Sequence, residues 1–130
     1  MIQKYIERPL VYKQRKFDIR MWALLHITDN PSQFDIYFFN EGYLRTSSNE
    51  YNVHDDNIMV HLTNNCLQVQ DKSTFGKHEV GNTVSFAEFQ AFLNEEYQDI
   101  QVDIEEHMIP QMKDIVIDTI LSAKKELNLR

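Results

Sequence analysis

The 130-residue chain has few of the residues that define several protein classes: one cysteine, three glycines and three prolines. One cysteine excludes an internal disulfide and fits a reducing compartment. So little glycine and proline excludes collagen-like and low-complexity chains. The longest apolar runs have four or five residues, against the ~20 that a membrane-spanning helix needs, and no secretory signal is present. We therefore expect a soluble intracellular protein with no membrane partner.

The charge of the chain is negative overall but unevenly distributed. Thirteen Lys and Arg against twenty Asp and Glu give a net charge of −7, which argues against a nucleic-acid partner. Residues 1–20 nevertheless contain six bases and two acids, a local charge of +4. This basic start indicates either an anion site at one edge of the fold or a solvated charged edge.

The first half of the chain has the residue pattern of β-strands. The clearest strand is 16–28, where alternate residues from Phe17 to Ile27 are apolar, the period typical of burial on one face. Asn40, Glu41 and Gly42 interrupt the next apolar stretch and predict a hairpin turn. The predicted strands are 2–6, 10–12, 16–28, 34–39, 42–46, 59–62 and 66–69, and residues 70–84 are a predicted polar loop.

The second half of the chain predicts two helices. Ser85 and Glu88 have the spacing of a capping box, which starts a helix that ends near Tyr97. A second helix starts near Asp103 or Pro110 and runs to Leu127, with Pro110 either in its first turn or at a kink. The predicted fold class is α+β, a mainly antiparallel sheet followed by two helices.

Three charged residues share one face of the 16–28 strand. Because its apolar residues occupy the other face, Lys16, Asp18 and Arg20 must lie in one row, about 6.5–7 Å apart. The two cations suit phosphate or carboxylate oxygens, and the carboxylate suits a hydroxyl or an amine. The row is therefore either a ligand site or a solvent-facing set of paired charges.

Other polar residues offer weaker indications of a site. Arg45 follows the predicted hairpin among glycine and hydroxyl residues, a setting for an anion or for an ordinary surface turn. Thr63 and Asn64 lie at the end of a predicted strand, where they serve either a ligand or the local turn. The five histidines are scattered, so no structural zinc site is expected. Cys66 is predicted to be a buried and inert thiol.

Five segments of the chain, in order, resemble the tubulin tyrosine ligase family of ATP-grasp amino-acid ligases. Each segment alone is a weak motif, but their common order is specific. The matching segments are Gln3-Lys4-Tyr5-Ile6-Glu7-Arg8-Pro9-Leu10, Arg15-Lys16-Phe17-Asp18-Ile19-Arg20, Glu41-Gly42-Tyr43-Leu44-Arg45-Thr46-Ser47-Ser48, His61-Leu62-Thr63-Asn64-Asn65-Cys66-Leu67-Gln68 and Phe75-Gly76-Lys77-His78-Glu79-Val80-Gly81-Asn82.

The resemblance implies a nucleotide site. Gln3, Lys4, Tyr5 and Ile6 would form a hinge strand whose backbone meets the adenine. Lys16 and Asp18 would contact the base and ribose, and Thr63 and Asn64 would line the same pocket. Arg20 and Arg45 would be catalytic residues, with Arg20 on the transferring phosphate and Arg45 on the carboxylate of the amino-acid substrate.

The resemblance also implies a reaction and its partners. ATP would activate a carboxylate on the acidic C-terminal tail of tubulin as an acylphosphate, and a free amino acid would attack it. The motifs favour tyrosine, with glutamate or glycine as alternatives. The expected location is the cytoplasm at the microtubule cytoskeleton, with the cilium as a further place.

The likeness covers only part of the family's ATP-grasp domain. Residues 1–130 correspond to one partial domain that lacks the N-terminal region and the C-terminal segment with the Mg²⁺ ligands. ATP and Mg²⁺ are the expected cofactors, with the metal ligands outside this chain, so we predict that the isolated chain is inactive. Two alternatives stay open: a non-catalytic module that binds tubulin or nucleotide, and an unrelated anion-binding α+β domain.

Overall fold

The computed structural model describes residues 2–28 and 33–124. Its strands are β1 (Val11–Tyr12), β2 (Arg15–Ile27), β3 (Phe34–Glu50) and β4 (Thr83–Ser85). Its α-helices are α1 (Ile58–His61), α2 (Asn65–Gln68), α3 (Phe86–Glu96) and α4 (Ile109–Ser122). A 3₁₀ turn at Val80–Asn82 precedes β4, and a π-helical turn at Ile104–Met108 precedes α4.

The four strands form one sheet in the order β1-β2-β3-β4. β1 pairs antiparallel with β2, with Tyr12 opposite Arg15, so only Lys13 and Gln14 connect the two strands. Both connecting residues have positive φ, 46° and 64°, which is the backbone of a type I′ hairpin turn. β3 pairs antiparallel with β4, with Leu44 opposite Val84.

The chain divides into two compact units, of which the first comprises Met1–Arg20 and Tyr43–Phe92. Its core contains Leu44 and Phe89, both completely buried. The ring of Phe89 lies edge-on to Tyr12 and Phe17, with ring centroids 6.2 and 5.1 Å away. These aromatic contacts fix the first turns of α3 against β1 and the start of β2.

The second unit comprises Met21–Gly42 and Leu93–Arg130. Asp103 caps its helical segment, because the carboxylate accepts a hydrogen bond from the Glu106 backbone N–H at 2.8 Å. The π-helical turn then leads into α4, whose first turn contains Pro110, a residue without the N–H that a helical hydrogen bond requires. None of the helices in the described ranges is long and apolar enough to span a membrane.

Several sequence predictions are confirmed. The fold is α+β, with an antiparallel sheet followed by the two long helices. The strand predicted at 16–28 is β2, and the capping box starts α3, where the Ser85 hydroxyl and Glu88 carboxylate are bonded at 2.6 Å. The second helix combines both predicted starts, with its cap at Asp103 and its α-helical part from Ile109. Its predicted end at Leu127 lies outside the described residues.

Other predictions are wrong. No hairpin forms at residues 40–42, because β3 continues through them to Glu50 and Gly42 does not adopt the positive φ of Gly76 and Gly81. The strands predicted at 59–62 and 66–69 are instead the short helices α1 and α2. Residues 2–6 form no strand, and the strand predicted at 10–12 shortens to β1. The assignment of residues 1–130 to one partial ATP-grasp domain stays a prediction.

Candidate functional site

Asp18, Arg45 and Thr63 meet in the first unit, although they come from three separate segments. The Nε of Arg45 donates to both carboxylate oxygens of Asp18, at 3.2 and 3.1 Å, and its Nη2 donates to Oδ2 at 2.5 Å. The hydroxyl of Thr63 donates to Oδ1 of the same carboxylate. Asp18 thus joins β2, β3 and the loop after α1.

The ion pair fixes the charge and direction of the Arg45 guanidinium. The hydrogen bond to Asp18 is the main reason that the pKa of Arg45 is raised above its usual value; burial acts in the opposite direction, and the charges of Asp18, Tyr43 and Cys66 raise the pKa further. No described residue bonds to Nη1 of Arg45. The Arg45 side chain is only 20% exposed, so Nη1 is a cationic donor at a site partly shielded from water.

Lys16 lies two residues before Asp18 on β2 and contacts the N-terminal segment. Its Nζ donates to the Tyr5 hydroxyl at 3.0 Å and lies 4.6 Å from the centre of the Tyr5 ring. The Tyr5 hydroxyl is in turn 2.7 Å from Nδ1 of His61. Tyr5 is therefore held beside the ammonium group of Lys16.

A buried ion pair between Arg15 and Glu79 supports this arrangement. Arg15 is 2% exposed, and its Nη1 donates to Oε2 of Glu79 at 2.9 Å while Nη2 pairs with Oε1. The same Nη1 donates to the Thr46 hydroxyl at 3.3 Å and to the Ser47 carbonyl at 3.2 Å. Arg15 directly precedes Lys16, and Thr46 directly follows Arg45. The ion pair of Arg15 with Glu79 therefore fixes the backbone next to the site.

The buried side-chain amides of Gln68 and Asn82 also stabilise the backbone around the site. The side chain of Gln68 donates to the carbonyls of Met59 and Leu62, at 2.9 and 2.6 Å, and accepts from the Ser48 N–H at 2.9 Å. Asn82 donates to the Thr46 carbonyl at 3.1 Å. These bonds attach the α1–α2 segment and the 3₁₀ turn at Val80–Asn82 to β3, and they satisfy polar groups whose burial would otherwise be costly.

The arrangement can bind an anion beside a hydroxyl-bearing group. Lys16 and the unused Nη1 of Arg45 are cationic donors, whereas the 35%-exposed Asp18 is an acceptor that a ribose hydroxyl or an amine could reach. An open cavity of about 500 Å³ adjoins Tyr5 and is lined by Lys4, Tyr5, Ile6, Glu7 and Arg8. Its size is in the range of small-molecule sites.

The structure thus brings together five of the residues singled out from the sequence: Tyr5, Lys16, Asp18, Arg45 and Thr63. Gln3, Lys4 and Ile6 are exposed in a segment that forms no strand, which corrects the expected hinge strand. Asn64 is exposed as the N-terminal cap residue of α2, and Arg20 is exposed on β2.

Two further differences concern a wrong prediction for Cys66 and four residues to which the sequence assigned no role. Cys66 is exposed, not buried, because its segment is a short helix in which apolar periodicity of the strand type does not apply. Arg15, Glu79, Gln68 and His61 were not assigned roles, although each lies in one of the five quoted motifs. In the described ranges, no group of three or more His, Cys, Asp or Glu side chains could hold a metal ion.

Comparison with known proteins identifies what the chain is similar to. A sequence model of the tubulin-tyrosine ligase family matches residues 1–130, which confirms the resemblance drawn from the motifs. The chain is 35% identical over 132 residues to tubulin glycylase 3B of Tetrahymena thermophila, covering all of this chain and 11% of that protein. It is 35% identical over 136 residues to tubulin glycylase 3A of Drosophila melanogaster, covering 100% of this chain and 13% of that protein.

A human protein gives a similar result. Tubulin monoglycylase TTLL3 of Homo sapiens is 32% identical over 134 residues, which cover the whole of this chain and 17% of that protein. The chain therefore spans between about a tenth and a sixth of the length of these three relatives.

Proposed function

The chain belongs to the tubulin-tyrosine ligase family, and from that premise we propose that it forms part of an ATP-dependent ligase that adds an amino acid to tubulin. The motif match extends over the whole chain, and the structure assembles residues from four of the five motifs around Asp18 and Lys16. That assembly of Asp18, Arg45 and Thr63 is the observation on which the proposal mainly depends.

Glycine is the amino acid that we propose. The sequence motifs favoured tyrosine, but the relatives described above are named glycylases. This replaces the earlier preference for tyrosine. The acceptor would be the acidic tail of tubulin, and the proposed place of action is at microtubules in the cytoplasm and cilium.

The proposed reaction has two steps. A carboxylate oxygen of the tubulin tail first takes the γ-phosphoryl group of ATP, which forms an acylphosphate and releases ADP. The amine of glycine then attacks the acyl carbon; the C–N bond forms, the C–O bond to phosphate breaks, and phosphate and a proton leave. Cationic donors lower both barriers by stabilising charge on the phosphoryl group and on the tetrahedral intermediate. Bound Mg²⁺ would neutralise phosphate charge, with ligands that we place outside this chain.

The nucleotide would lie along residues 3–6 and β2. Lys16 donates to the base or to a phosphate, Asp18 accepts from a ribose hydroxyl, and Thr63 with Asn64 borders the pocket. The cavity beside Tyr5 and the contact between Lys16 and Tyr5 support this position.

Arg45 would bind the carboxylate of the incoming glycine. Its Nε and Nη2 are held by Asp18, so the donor available to a substrate carboxylate is Nη1. In this role Asp18 also aims the guanidinium, and replacing it would affect both nucleotide and amino acid. Arg20 would stabilise the phosphoryl group during transfer.

ATP titration calorimetry on the chain tests the nucleotide site. We expect Lys16→Met to weaken ATP binding about tenfold or more, because a charge-assisted hydrogen bond is lost. Lys72→Met, which removes the same charge from an exposed loop residue, is the matched control and should change affinity less than about twofold. Equal affinity of the two variants would contradict the assignment of Lys16.

Amino-acid incorporation tests the proposed reaction. The native protein, isolated with an antibody raised against this chain, is incubated with ATP, tubulin and radiolabelled glycine, glutamate or tyrosine. Label from glycine in tubulin is the expected result. Label from tyrosine alone would refute the choice of glycine, and no label from any of the three would favour the non-catalytic module.

A further inference from the structure

The proposed reaction assigns no role to His61, which lies at the centre of a cluster of titratable side chains. Its ring is edge-on to Tyr5 and Tyr51, with centroids 5.5 and 6.0 Å away. Tyr51 is itself fixed, because its hydroxyl donates to the Glu7 carbonyl at 3.0 Å. The imidazole therefore lies between two aromatic rings, one of which belongs to the segment that we assign to the nucleotide.

The hydrogen bonds of His61 determine which ring nitrogen carries the proton. Its Nε2 is 2.5 Å from the backbone carbonyl of Asp55, and a carbonyl oxygen can only accept. Nε2 must therefore carry hydrogen, which makes Nδ1 the acceptor in the neutral ring. In this neutral ring the hydroxyl of Tyr5, 2.7 Å from Nδ1, is the donor.

This assignment orders the whole chain of hydrogen bonds. Lys16 has only donors, so its Nζ donates to a lone pair of the Tyr5 oxygen. The hydroxyl of Tyr5 passes its own hydrogen to His61, and His61 donates to the Asp55 carbonyl. Every bond has one donor and one acceptor, and the direction runs from the Lys16 ammonium to the backbone at residue 55.

We propose that His61 is a positioning residue for the nucleotide segment: as the neutral Nε2–H tautomer it fixes the Tyr5 hydroxyl, and Tyr5 in turn directs the Lys16 ammonium toward the ligand. The inference rests on the proposed function, because it takes residues 3–6 and Lys16 as the place of ATP. Without the acceptor at Nδ1, the Tyr5 hydroxyl loses its fixed direction and the Lys16 ammonium loses its oriented partner.

Two substitutions at His61 separate its two hydrogen bonds. In His61→Asn, the side-chain oxygen occupies nearly the place of Nδ1 and can still accept from Tyr5. In His61→Gln, the amide nitrogen comes close to the place of Nε2 and can still donate to the Asp55 carbonyl. Tyr5→Phe removes the hydroxyl but keeps the ring beside Lys16 and His61.

ATP affinity, measured by calorimetry on the chain and these variants, is the first readout. We expect His61→Gln and Tyr5→Phe to weaken ATP binding about tenfold, and His61→Asn to stay within about threefold of the unmodified chain. Far-UV circular dichroism confirms that each variant is folded. If His61→Gln binds ATP as the unmodified chain does, or if His61→Asn is as weak as His61→Gln, the inference is wrong.

The tautomer is the second readout, and it does not depend on ATP. Long-range ¹H–¹⁵N NMR spectra of the chain should give the His61 signals of a ring protonated at Nε2, and this pattern should weaken in Tyr5→Phe. Signals of the Nδ1–H tautomer would overturn the proposed direction of the bonds. Absence of ATP binding by the unmodified chain would count against the nucleotide site itself, and would thus be distinguished from failure at His61 alone.

Discussion

Replacing Glu79 with glutamine tests whether the buried ion pair supports the candidate site. The change leaves the guanidinium of Arg15, 2% exposed, without its carboxylate partner. Breaking a buried pair costs about 3–5 kcal/mol. The glutamine oxygen, the Thr46 hydroxyl and the Ser47 carbonyl still accept from Arg15, so we expect the lower value, about 3 kcal/mol. With a urea m-value of ~2 kcal/mol/M, the midpoint falls by ~1.5 M.

Urea unfolding followed by circular dichroism at ~222 nm measures this loss. The double variant Arg15→Met with Glu79→Leu removes both charges, and Thr46 keeps its bond to the Asn82 carbonyl. We expect it to unfold within about 1 kcal/mol of the unmodified chain, because no buried charge is left unpaired. The reasoning is refuted if Glu79→Gln loses less than ~1 kcal/mol, or if the double variant is no more stable than Glu79→Gln.

Three further predictions concern the β1–β2 turn, the α3 cap and catalysis. Lys13→Asn with Gln14→Gly should raise the unfolding free energy by about 1 kcal/mol, because these residues fit positive φ; an unchanged urea midpoint would argue against strain there. Glu88→Gln should lower the melting temperature at neutral pH. The hydroxyl and N–H of Ser85 hold the pKa of Glu88 below its usual value. The difference in melting temperature between Glu88→Gln and the unmodified chain should therefore persist above pH ~4.3 and disappear as the pH falls below it. A difference that does not change with pH would contradict this prediction. We predict that the isolated chain transfers no labelled glycine to tubulin, because the family resemblance implies Mg²⁺ ligands outside this chain; measurable incorporation would disprove this.

The parts of the fold that the sequence predicts correctly depend on local patterns. β2 has an apolar residue at every second position from Phe17 to Ile27, and the hydroxyl and carboxylate of Ser85 and Glu88 have the spacing of a cap. Both patterns lie within one element, so they depend little on distant residues. The row of charges on β2 was predicted for the same reason, and Lys16 and Asp18 do make the polar contacts expected of that face.

The parts that the sequence does not predict depend on distant partners. The apolar runs in residues 59–68 have the length of short strands. The Gln68 side chain, however, donates hydrogen bonds to the carbonyls of Met59 and Leu62, and these bonds favour short helices. The turn at Lys13 and Gln14 lacks the usual asparagine or glycine, so its residue types gave no indication of positive φ. Arg15 and Glu79 are 64 positions apart, and no spacing rule links them.

The exposed Cys66 gives this chain a practical advantage, because it is the only thiol in the sequence. A maleimide fluorophore or a nitroxide attached to it would mark one position without any engineered cysteine. Since Cys66 lies three residues after Thr63 in the sequence, the label would sit near the candidate site. Its emission or its electron-spin spectrum could then report ATP, glycine and tubulin peptides one at a time.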